Sequence, residues 1–121
     1  MKKFIAFFEI PAADFKRAVG FYETVFNTQL PIMECEHEKM AFFKEGNECV
    51  GAVSWSETFP PSEKGVLISF NCEDIEQTHC KVLEWGGRIV IPKTKIEAEG
   101  KGFFSVVIDS EGNSIGLYAD R

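Results

Sequence analysis

Along the first third of the chain the spacing of apolar positions changes twice, and each change marks an element. Residues 3–10 form an almost unbroken apolar run and read as a buried strand. From Asp14 onward the apolar residues fall at 15, 18, 19, 22, 25 and 26, one face of a helix expected over 14–26. Asp14 is suited to its start, because a carboxylate there accepts from the free amides of the first turn. Asn27, which tolerates a left-handed backbone, is suited to its end. Strands are expected next over 30–35, 40–44 and 48–55, the last two joined by the turn Gly46-Asn47.

The pattern then recurs. Sixty positions after Asp14, Asp74 stands ready to cap a second helix, with Ile75, His79, Val82 and Trp85 where Phe15, Val19, Tyr22 and Val25 stood, and Gly87 matching Asn27. A strand over 66–72 precedes this helix, and strands over 88–91, 103–109 and 114–119 follow it, with Pro92 expected to end the first of the three. Glu45-Gly46-Asn47-Glu48 has its counterpart sixty-six positions on in Glu111-Gly112-Asn113-Ser114. The second copy is therefore longer, and the extra residues fall most simply in the polar stretch 93–102. Residues 57–64, with Pro60-Pro61 and no periodicity, link the two copies. An internal duplication of this kind outranks local motifs as a guide to fold.

Composition narrows the function. The 121 residues suit one compact body of two similar halves, residues 1–56 and 65–121, and 45% hydrophobic content with twelve phenylalanines argues against disorder. Nineteen acidic against thirteen basic side chains give a net charge of -6. That disfavours nucleic acid or an anionic membrane as partner and leaves a small molecule or another protein. The apolar run behind Met1-Lys2-Lys3 is broken by Glu9, Pro11 and Asp14 before a secretory core is complete, and no segment is long enough to span a bilayer. Cys35, Cys49, Cys72 and Cys80 make no CxxC and are expected to be reduced thiols in a cytoplasmic protein.

Two tandem βαβββ units, a Phe21-Tyr22 pair late in the first helix, and the segment Asp109-Ser110-Glu111-Gly112-Asn113-Ser114-Ile115-Gly116-Leu117 resemble the vicinal oxygen chelate superfamily. That superfamily includes glyoxalase I, the bleomycin- and fosfomycin-resistance proteins, extradiol dioxygenases and methylmalonyl-CoA epimerase. The resemblance implies an α+β fold in which the two units form a curved mixed sheet around a ligand cavity, and it implies a homodimer. It also implies a divalent metal held on the first and last strands of each unit. Here those positions carry Phe7, Leu67, Gly116 and either Val50 or Gly51. No side chain among them donates to a metal, and no cofactor is expected.

One ionisable group lies close to these positions. Side chains alternate along a strand, so Glu9 faces the same way as Phe7, and Ser69 and Asn71 the same way as Leu67. Glu9 is the candidate catalytic residue, a carboxylate that aromatic neighbours would desolvate. Phe7, Leu67, Ser69, Asn71, Phe42, Trp55 and Phe104 are candidates for contacting a ligand. Phe59 is a candidate lid, and 93–102, with Gly100 and Gly102, a candidate gate. His37 and Cys35 could form a donor pair but read as a solvated acidic turn, and His79 reads as a half-buried packing residue. Cys49 and Cys72 read as small core residues.

Three functions are compatible with this pattern. The first is a metal-free protein of the glyoxalase and bleomycin-resistance type that binds a small, partly apolar molecule. The second is a lyase or isomerase of the same superfamily using Glu9 or a metal held elsewhere. The third is a dimeric regulatory or interaction module.

Overall fold

The computed structural model describes residues 7–97 and 100–121, so residues 3–6 of the expected first strand, the opening Met1-Lys2-Lys3 and two residues of the expected gate lie outside the described residues. Ten elements follow in the order β1 (Phe8–Pro11), α1 (Phe15–Val25), β2 (Ile32–Glu34), β3 (Glu38–Glu45), β4 (Glu48–Ser56), β5 (Ile68–Asn71), α2 (Ile75–Glu84), β6 (Arg88–Lys95), β7 (Phe103–Ile108) and β8 (Ser114–Ala119). Each half is a βαβββ unit. Its strands form a four-stranded mixed sheet, ordered β1-β4-β3-β2 in the first half and β5-β8-β7-β6 in the second. The architecture is α+β, with β1 and β5 parallel to the final strand of their own half and all other pairs antiparallel.

The helices begin where their aspartates predict. Asp14 accepts from Arg17 N and Asp74 from Gln77 N, each at 3.1 Å, satisfying an amide the first turn leaves open. Helix α1 buries Phe15, Ala18, Val19, Phe21, Tyr22 and Val25, whereas α2 buries only Ile75, Thr78 and Val82. An aromatic cluster drawn from both halves packs against the buried core. Phe70 of β5 lies 4.6 Å from Phe26, 5.5 Å from Phe43 and 6.3 Å from Phe8, ring centre to ring centre. Offset and edge-on contacts of this sort add about 1 kcal/mol each beyond the area they bury.

Several sequence expectations are corrected. The left-handed residue after α2 is Gly86, at φ +89°, and not Gly87, because α2 ends one residue sooner than its counterpart, where Asn27 takes φ +50°. Gly87 serves a different need: a Cβ there would lie 2.4 Å from the Ile108 carbonyl oxygen. Pro92 does not end its strand. β6 is the outer strand of its sheet, so a missing N–H costs no ladder bond on that side, and the pairing with β7 is irregular around it. Cys49 is exposed instead of buried, since it sits beyond a bulge at the start of β4; Cys72 is half-buried.

The bulge also resets the match between the two last strands. Phe43 pairs with Gly51 and Lys44 with Cys49, leaving Val50 as the extra residue of β4. Glu9 therefore lies opposite Ala52 as Ser69 lies opposite Gly116. The equivalent of Gly116 in the first half is Ala52, not Val50 or Gly51. Gly51 faces the other way, where a Cβ would meet the Phe8 ring at 2.4 Å.

Candidate functional site

Strands β1 and β5 each sit at the edge of their sheet, and the space where the two halves meet holds a cavity of about 290 Å³. Ile10, Ile68 and Ile115, one from each of three strands, supply apolar wall, and the exposed Phe59 and Val66 of the linker border its opening. Among the described residues, Glu9 is the only charged one lining the cavity. The linker runs here as a strap because Pro60 and Pro61 have no N–H with which to join a ladder. It is pinned in its middle: Ser62 N donates to Asn113 Oδ1 at 3.0 Å, and Ser114 Oγ donates to the Glu63 carbonyl at 2.8 Å.

The same turn that pins the strap fastens the two halves together. Asn113 Nδ2 donates to the Pro11 carbonyl at 2.7 Å and to Asp109 Oδ2 at 3.0 Å, while Asp109 Oδ1 accepts from the amides of Glu111 and Asn113. Tyr22, wholly buried on α1, donates its hydroxyl to Asp109 Oδ2 at 2.6 Å. Burial, and then the adjacent Asp109 carboxylate, push the Tyr22 phenol well above its ordinary value, so it remains a donor at any physiological pH. Glu111 reaches across as well. Its carboxylate accepts from Arg17 Nε at 2.7 Å and Nη2 at 3.0 Å and from the amides of Ala13 and Asp14 at the start of α1. Burial alone would raise this carboxyl, but the hydrogen bonds from Arg17, Asp14 N and Ser110 together hold it below its ordinary value.

The candidate residues separate into groups. Phe7, Glu9 and Phe42 share one face of the first sheet, with the Phe7 and Phe42 rings 6.4 Å apart. Ser69 and Phe104 share one face of the second sheet with Gly116 and Tyr118; Asn71 and the neighbouring Leu67, 48% exposed, follow the same alternation. Trp55 is on the opposite face of the first sheet from Glu9, beside α1, and Lys39 Nζ lies 5.4 Å from its ring centre. Of all these, the cavity brings together only Glu9 and the proposed lid residue Phe59. Glu9 is exposed and has no hydrogen-bond or ion-pair partner among the described residues, so the desolvation on which a base role depends is missing.

His37 and Cys35 are exposed, His37 lying near Glu36 and Glu57. His79 is half-buried and bonded through Nε2 to the buried Ser105 Oγ at 2.7 Å; that hydroxyl donates in turn to the Ile91 carbonyl, so His79 Nε2 carries the proton. Sequence reasoning overlooked Asn113, whose Gly-Asn turn announces a hairpin but gives no local sign that the amide grips a strand and a linker of the other half. It also overlooked Val66, whose exposed position on the strap no periodicity signals.

Whether the positions implied for a metal fit one can be tested on their chemistry. Phe7, Leu67, Ala52 and Gly116 end in hydrocarbon or hydrogen, and Ser69 Oγ lies 2.3 Å from where a Gly116 Cβ would stand. Among the described residues no three His, Cys, Asp or Glu side chains converge elsewhere. The donor set does not fit a divalent ion.

This arrangement, paired βαβββ units with a cavity at their junction, defines the class of fold. The sequence profile described as "Glyoxalase/Bleomycin resistance protein/Dioxygenase superfamily" matches residues 4–117, and the chain belongs to that superfamily. Solved structures agree on the fold. A glyoxalase/bleomycin resistance protein from Albidiferax ferrireducens superposes with a TM-score of 0.70 at 15% identity, over 98% of this chain and 100% of the other. A family enzyme from Burkholderia phytofirmans gives 0.68 at 12% identity, over 96% and 98%. Glyoxalase I from Zea mays gives 0.74 at 14% identity over 95% of this chain, which spans only 45% of the maize protein. No curated protein matches the sequence.

Proposed function

We propose that this protein binds a small, partly apolar molecule in the cavity between its two halves, without a metal at the superfamily's implied positions. The observation that carries the reading is the cavity itself, about 290 Å³, walled by isoleucines from β1, β5 and β8 and bordered at its opening by an aromatic residue of a tethered strap. The hydrocarbon at Phe7, Leu67 and Ala52 supports the metal-free part. Exposed Phe7 and Leu67 favour a homodimer, in which a second copy covers apolar surface. No helix among the described residues is long and apolar enough to cross a membrane.

The test is a small-molecule screen read by thermal shift and mapped by amide chemical shifts. Ligands are expected to raise Tm and to perturb Phe59, Val66 and Ile68 first. Phe59→Ala is expected to weaken the best of them about tenfold, the loss of one well-packed aromatic contact. Hits that map instead to the Trp55 groove or to the far faces of the sheets would overturn the assignment. Titrations with Zn, Mn, Ni and Fe(II) under reducing conditions are expected to show no stoichiometric stabilisation. Light scattering on the eluting protein checks the dimer.

A further inference from the structure

The cavity's polar groups identify the charge of its occupant, given the reading that the cavity holds a ligand at all. Asn113 has its amide oxygen taken by Ser62 N and its amide nitrogen shared between the Pro11 carbonyl and Asp109. Ser114 Oγ is committed to the Glu63 carbonyl, and Ser62 Oγ accepts from Lys64 N. What is left toward a ligand among the described residues is the Glu9 carboxylate, without a partner there, and the Ser62 hydroxyl hydrogen; no described lysine, arginine or histidine lines the cavity to answer the charge.

An anionic ligand would meet Glu9 with no counter-charge. A neutral hydroxyl would find an acceptor but leave the carboxylate's charge unanswered. An ammonium group satisfies both needs, offering donors and opposite charge, while hydrocarbon fills the isoleucine wall. The net charge of -6 acts in the same direction at longer range, drawing cations toward the surface. We propose that the cavity is selective for apolar organic cations, amines carried on a compact hydrocarbon body, with Glu9 as the residue that sets the sign of charge.

Because Glu9 is exposed, its contribution is that of a solvated ion pair: a preference of about fivefold that salt reduces. The experiment compares three matched series, phenylbutyl, cyclohexylmethyl and hexyl, each as the amine, the alcohol and the carboxylate. Binding is followed near neutral pH by the amide shifts of Glu9, Phe59, Val66 and Ser114. The expected result is amine over alcohol by about fivefold and carboxylate weakest, with the preference shrinking at about 1 M salt and lost in Glu9→Gln while alcohol affinity is unchanged. Equal binding of amine and alcohol, or a preference that survives in Glu9→Gln, would overturn the charge assignment and leave the apolar cavity standing. Failure of every compound to perturb these amides would overturn the cavity reading itself. Glu9 packs into no core, so the substitution leaves folding unaffected.

Discussion

The two halves descend from one pattern but are buried unequally. The turn Glu111 to Ser114 of the second half, with Asp109 before it, docks against the first half, gripping the start of α1, the end of β1 and the hydroxyl of Tyr22. Its counterpart in the first half, Glu45 to Glu48, is exposed at all four residues. The helices differ in the same sense, α1 being buried on six residues and α2 on three, with Leu83 and Trp85 of the second region left exposed. A duplicated sequence thus yields one half that holds and one that is held. The near-symmetry of elements does not extend to the energetics.

Substituting the two turns separately should expose that inequality. Asp109→Ala leaves the Tyr22 hydroxyl and two turn amides without their buried acceptor, and a loss of about 3 kcal/mol is expected in denaturant unfolding. Asn47→Ala, on the exposed turn, is expected to change stability by less than about 0.5 kcal/mol. Comparable losses at the two sites would end the argument that only one turn carries the junction.

A smaller effect is expected from the Arg17–Glu111 pair, whose carboxylate is 1% exposed while the arginine is 51% exposed. Glu111→Gln should cost about 2 kcal/mol, because a charged acceptor of five hydrogen bonds becomes a neutral one. The pH dependence has a defined sign. Glu111's carboxyl is held below its unfolded value, so its stabilisation is present above the ordinary carboxylate range and is lost as pH falls through the folded value. Glu111→Gln should flatten that acid limb. Burial likewise lowers the His79 value, so folding also weakens as pH falls below the ordinary histidine range, where the unfolded chain binds the proton more readily. His79→Gln should remove that second, shallower slope.

The helix ends offer the finest comparison. Gly86→Ala forces a side chain into φ +89° and should cost about 1 kcal/mol, whereas Asn27→Gly, at φ +50°, should change stability by only a few tenths. Thermal unfolding of the two variants, measured together, checks both.

The fold was legible because its signals are local: an aspartate before each helix, a Gly-Asn turn before each last strand, and one helical face repeated. What was hidden is non-local. The bulge at Val50 shifts the last strand without a mark in the sequence, so Ala52 rather than Val50 or Gly51 matches Gly116. Pro92 reads as a strand end unless β6 is known to lie at a sheet edge. For the site, alternation put Glu9 and Phe7 on one face, but it could not say that Phe42 joins them while Trp55 lies on the other side. The encounter of Glu9 with Phe59 depends on the path of an aperiodic strap, fixed by Asn113 some fifty residues further along.

That strap has a mechanical consequence. Pinned at Ser62 and Glu63 and continuous with β4 and β5 at its ends, it is held at three places, with Phe59-Pro60 and Gly65-Val66 in the two spans between them. A Cβ at Gly65 would meet nothing within 4 Å, and Val66 beyond it is 91% exposed. The order of both spans beside the cavity therefore rests on two side chains of one distant turn, the amide of Asn113 and the hydroxyl of Ser114.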